Sequence, residues 1–227
     1  MEREPTDDKL SRKLWLIGHS FPARWITKHP AKWHNETNPL VPLDPRHPTR
    51  HNILTSVLDY LQDRVYKKGW LRLDICKCCV FNAFENDEKD GKPIRAFEDP
   101  RLIARIDQWR DRFKRYKLPI VITFGAEAYR FAALSLDDQV KSKLTARYLG
   151  ERFREPAIPN SWDSSGTNLF PLLHAVVAQR VWHEVGKYYV PKREDANYFE
   201  CVGHSLAEVL LTNGRQLPIW CEPRPAT

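Results

Sequence analysis

The chain has 227 residues, a length that suits one α/β domain able to bury roughly 70% of the surface its unfolded form exposes. Its 8 Trp, 8 Tyr and 10 Phe exclude the composition of a disordered chain, and a net charge of +7 favours polyanionic partners. No stretch approaches the ~20 apolar residues needed to cross a bilayer, so no membrane partner is expected.

The N-terminus, "MEREPTDDKLSRK", is charged rather than apolar, which reads as a cytoplasmic protein without a leader. "KLWLIG" is the first strand-length apolar run. Pro39, Pro42, Pro45 and Pro48 then stiffen a segment that leads into a helix over about 49–66, with Ile53, Val57, Leu58, Leu61 and Val65 facing inward. "GWLRLDICKCCV", 69–80, reads as a second, interior strand that carries a carboxylate, Asp74, in its middle. Leu102, Ile106, Trp109 and Phe113 recur at helical spacing, and the arginines on the other face of that helix read as a solvated surface. "PIVITFG" is a third strand, "AEAYRFAAL" begins a helix, and "NLFPLLH" is a fourth strand that ends at His174. Ser205 and Glu208 form a capping box for a last helix that Gly214 closes.

Strand-length apolar runs separated by helices or long loops are the pattern of parallel strands buried under helices. The expected architecture is a three-layer α/β/α sandwich around a central parallel four-stranded sheet, folded as a single domain over 1–227. The five cysteines are odd in number, Cys76, Cys78 and Cys79 crowd together, and no CxxC pair exists. Reduced thiols fit better than disulfides, and no metal or other cofactor is expected. The protein is expected to be a monomer.

In an open parallel sheet, ligands sit beyond the carboxyl ends of the strands. The strand ends here carry "GHSFPARW", the segment around Asp74, "FGAEA", and His174. Together these resemble the uracil-DNA glycosylase superfamily, most closely its ordinary uracil-excising branch. That branch has a strand of the form "GVLLLN" whose Asn reads the base edge, and "KGWLRLD" puts Asp74 at that place. "LFPLLHA" is similar to the strand that ends in the family's His-Pro-Ser loop. "YFECVGHSLAEVLLTNGRQLPIW" resembles the family's terminal segment, and "VPLDPRHPTRHNILTSVL" its Pro-rich loop and adjoining helix, which press on the DNA backbone. The resemblance covers most of the chain in the same order and implies a glycosylase fold, a DNA partner and excision of a flipped base.

The departures point away from plain uracil. The family's first loop has an Asp or Asn that orients the attacking water, whereas Ser20 falls there and Phe21 separates it from Pro22. The fourth strand leads into His-Ala-Val, and the segment from His174 to Cys201 is longer than the family's. Base excision needs a group that stabilises negative charge on the departing ring, a reader of the pairing edge, and a route for water. His174 suits the first role, with a structural histidine as its alternative. Asp74 suits a reader that accepts from an exocyclic amine, as cytosine presents, with an ion-paired or capping acid as its alternative. His19, beside Gly18 and Ser20, is the candidate to orient water. Phe21 or Trp25 would stack on the base. Arg24, Lys28, Pro48, Ala175, Arg180 and Lys187 are placed to meet the DNA backbone. The sequence thus leads to a DNA glycosylase for a modified cytosine-type pyrimidine, which would suit defence against modified viral DNA. A DNA-binding module that has lost catalysis is the alternative.

Overall fold

A computed structural model describes residues 4–12, 14–20, 70–72, 79–87, 89–116, 120–137, 140–154, 168–174, 183–189 and 221–223. Short helix α1 (Asp7–Leu10) precedes β1 (Leu14–Gly18), and β2 (Trp70–Arg72) precedes β3 (Cys79–Asn82). Next come α2 (Pro100–Tyr116), β4 (Ile120–Phe124), α3 (Ala126–Ser135), α4 (Ala146–Arg154), β5 (Asn168–Leu172), a helix α5 over 183–189 and β6 (Cys221–Pro223). Among the described residues no helix is long and apolar enough to cross a membrane.

The architecture is α/β, with a four-stranded, all-parallel sheet in the order β3-β1-β4-β5. Three expected strands form where the apolar runs put them. Trp15, Leu16 and Ile17 of β1 and Val121 and Ile122 of β4 are wholly buried, as residues of central parallel strands covered on both faces must be. β5 contains Pro171 and is an edge strand, where a missing N–H leaves no central ladder broken.

The second strand is the correction. The run expected there, "WLRLDICKC", does not enter the sheet as one strand. Trp70–Arg72 instead pairs antiparallel with Cys221–Pro223 in a separate ribbon, and the strand beside β1 is Cys79–Asn82. The physical reason is burial: "CVFN" is free of charge, and Cys79, Phe81 and Asn82 are all buried, whereas Arg72, Asp74 and Lys77 would each have to be desolvated. Cys79 packs as a small apolar group, and burial pushes its thiol up to about 12. The expected helices over 49–66 and after Ser205 lie outside the described residues.

Asp99 opens α2. Its carboxylate accepts the Arg101 backbone N–H at 2.9 Å, and Pro100 takes the first helical position. The expected apolar face, Leu102, Ile106, Trp109 and Phe113, is buried. Trp109 stacks on Phe81 with ring centroids 4.0 Å apart, and Trp15 meets both rings edge-on. On the opposite face of the pleat, Phe170 meets Phe153 of α4, so helices pack on both sides of the sheet. α4 also lies hard against α5, because a Cβ on Gly150 would fall 2.5 Å from the Tyr188 carbonyl oxygen.

Candidate functional site at the carboxyl edge of the sheet

The strand order fixes where a site can form. After β1 the chain passes to β3 on one side and then to β4 on the other, so the point where connections diverge lies between β1 and β4, and in open parallel sheets ligands bind beyond the carboxyl ends of the strands at such a point. Three of the four parallel strands end in or beside residues with chemistry: β1 in Gly18, His19 and Ser20, β3 in Asn82, and β5 in Leu173 and His174. The fourth, β4, leads into Gly125, which has no side chain to fill the space.

Gly125 occupies φ 101°, a region costly for any residue with a Cβ. Its N–H donates to Leu172 O at 2.8 Å, and its carbonyl accepts from Tyr129 to start α3. The missing Cβ would stand 3.7 Å from the Cβ of His174. The strand-to-helix turn therefore passes directly beside His174, and it does so without a side chain.

His19 and Ser20 are half-buried. The Ser20 hydroxyl and His19 Nδ1 are 3.0 Å apart, and the imidazole meets the edge of Phe84 with centroids at 5.2 Å. Burial first, then the positive charge of Arg95, then His174 lower the His19 pKa from its ordinary 6.5 to about 4. His19 is therefore neutral at physiological pH. A base of pKa about 4 matches a carboxylate in proton affinity, so the ring can accept a hydrogen bond from water without stripping it of its proton. His174 acts on His19 through charge, the two histidines following strands β1 and β5 that flank β4. His174 itself is exposed.

Asn82 is not among the residues that the sequence singles out. It pairs in register with Gly18, is 3% exposed, and its side-chain Nδ2 is buried without a hydrogen-bond partner among the described residues. An amide N–H withdrawn from water with nothing to donate to costs about 1–3 kcal/mol, and such a group at the carboxyl end of a strand suits a ligand that supplies the acceptor. The backbone beyond it is well held: Ala83 N–H donates to Gly18 O at 2.9 Å and Phe84 N–H to His19 O at 3.0 Å. The signal in the sequence is an uncharged run, "CVFN", that ends in an amide.

The outer-face arginines of α2 divide in two. Arg101 pairs with Asp99 and Asp87, and Arg110 with Asp107 and Asp137; these are the solvated pairs the sequence suggests. Arg105 is different, being buried, and its guanidinium reaches the loop after β3. Lys187 is an exposed residue of α5 whose ammonium lies over the Tyr188 ring. Phe21, Arg24, Trp25, Lys28, Pro48, Asp74, Ala175 and Arg180 lie outside the described residues. No family model, curated protein or solved structure matches the chain.

Proposed function

We propose that the protein is a DNA glycosylase of uracil-DNA glycosylase-like fold that hydrolyses the N-glycosidic bond of a flipped pyrimidine. One observation supports the reading: His19, His174 and Asn82, the last a buried amide whose Nδ2 has no hydrogen-bond partner among the described residues, all stand at the carboxyl ends of strands of one parallel sheet. Each answers one demand of base excision. His174, beyond β5, donates to a ring carbonyl as negative charge develops on the leaving base. His19, neutral and as weakly basic as a carboxylate, orients the water that attacks the sugar, in place of the acid or amide that is missing after β1. Asn82 reads the pairing edge, one amide supplying both a donor and an acceptor.

We place the reader at Asn82 in preference to Asp74, which lies outside the described residues. The resemblance expects an Asn at the end of the second sheet strand, and the position of Asn82 at the end of β3, beside β1, supports that reading. An amide meets cytosine by accepting from the exocyclic amine and donating to the ring nitrogen, and uracil by the reverse arrangement. Choice of base then rests on ring substituents. The long segment between His174 and Cys201 favours a substituted pyrimidine, read here as a modified cytosine, over plain uracil, and the basic excess of the whole chain favours a DNA partner.

The test is incubation of the protein with DNA containing cytosine, modified cytosine or uracil, scored as abasic sites, with Asn82→Asp in parallel. Wild type should release a modified cytosine most readily. The carboxylate loses the donor and should lower excision ~10-fold or more, in line with ~1–3 kcal/mol for a mismatched bidentate contact. DNA binding that weakens steeply with salt, without any abasic product, would replace this reading by the non-catalytic DNA-binding module. Absence of DNA binding would remove both.

A further inference from the structure

We propose that Arg105 is the positioning residue for Asn82, a buried clamp that fixes the end of β3 and with it the orientation of the base-reading amide; this rests on Asn82 being the reader of the base. The guanidinium sits at the one point where helix α2, the end of β3 and the N-terminal segment meet. Its Nε donates to Ala83 O and its Nη2 to Asn82 O, each at 2.8 Å. Its Nη1 lies 2.8 Å from both Glu4 and Glu85. One planar fork therefore holds two successive carbonyls of the chain that carries the amide, and two carboxylates hold the fork.

The choice of residue comes from that geometry. Two adjacent carbonyl oxygens at a strand end need donors in a fixed plane, which a guanidinium supplies and an ammonium does not. The cation is 9% exposed and would be costly without compensation. Glu4 and Glu85 compensate it, and Glu4 reaches Arg112 as well. The guanidinium carbon of Arg105 lies 5.9 Å from the Trp109 ring centroid and 6.0 Å from that of Phe131. Packing, charge and hydrogen bonds thus all hold it in one place. Among the described residues the Asn82 amide makes no hydrogen bond through Nδ2, so no bond of its own donor fixes its direction, and the backbone that carries it is held by β1 on its N–H side and by Arg105 at its carbonyls.

Arg105→Lys tests the clamp, since it keeps the charge and breaks the fork. Amide hydrogen exchange reads the result without reference to any activity. The Ala83 and Phe84 amides, bonded to Gly18 and His19, should exchange ~10-fold or more faster, while Ile17 and Ile122 in the sheet centre stay as in wild type. Equal acceleration of all four amides would make Arg105 a general stabiliser and overturn the proposal, as would no acceleration at Ala83 and Phe84. In single-turnover excision of a modified cytosine, Arg105→Lys should cost ~10-fold or more in wild type and nothing further in an Asn82→Ala background. Additive losses would mean that Arg105 acts elsewhere and would also overturn it. If wild type excises no base, the functional reading fails and the exchange measurement alone decides the clamp. If the lysine variant does not fold, Glu85→Gln replaces it: selective acceleration at Ala83 and Phe84 by ~3-fold supports the clamp, and unchanged exchange there refutes it.

Discussion

Acid should weaken this protein through His19, and the size of the effect can be worked from its surroundings. The folded imidazole protonates only near 4, because burial, Arg95 and His174 all oppose its charge, whereas an unfolded chain protonates it near 6.5. Between those values the unfolded state holds more protons than the folded state, so the His19 contribution is complete above pH 6.5 and is lost as pH falls toward 4. An undiminished shift of this size is worth about 3 kcal/mol. The ring is only half-buried, and screening by solvent brings the loss to about 1 kcal/mol at about pH 5. Other groups titrate in the same range, so the measurement is a difference. Urea unfolding of wild type and His19→Asn at about pH 7.5 and about pH 5 isolates it, because the amide offers Ser20 a partner and does not titrate. Wild type should lose about 1 kcal/mol more than the variant on acidification. An equal loss in both proteins, or a larger one in the variant, would mean that His19 takes up its proton as readily folded as unfolded, and its role as a neutral water acceptor would fall with that.

His174→Ala should slow single-turnover excision by ~100-fold or more and leave folding and DNA affinity as they are, since the side chain is exposed; an unchanged rate would remove it from the site. Gly150→Ala should lower stability in urea by about 1–2 kcal/mol despite the better helix propensity of alanine, because its Cβ would meet the Tyr188 carbonyl at 2.5 Å; a stabilised variant would show that α4 and α5 separate at no cost.

How far the sequence can be read depends on which interactions are local. β1, β4 and β5 are legible because central and edge strands of a parallel sheet are apolar in nearly every position, and "LWLIG", "IVITF" and "NLFPL" are short runs that nothing else explains. The second strand is harder, since "WLRLDIC" and "CVFN" stand close together and both are rich in strand formers. Charge decides between them: a strand buried on both faces excludes Arg72, Asp74 and Lys77, and that criterion, applied strictly, leads to Asn82. Arg105 shows where local reasoning ends. It stands on the shoulder of the apolar stripe that Leu102, Ile106, Trp109 and Phe113 define, a position from which a long side chain either snorkels to water or turns inward. Which it does depends on two carbonyls at Asn82 and Ala83 and on Glu4, which stands 101 positions away in the chain. The charge effect of His174 on His19 is of the same kind, because it exists only once β1 and β5 flank β4. A site assembled at strand ends has its residue types written in the sequence, but its neighbours are chosen by strand order, and the turn at Gly125, tied to Leu172 by one backbone hydrogen bond and standing beside His174, is a contact that no spacing counted along the chain reveals.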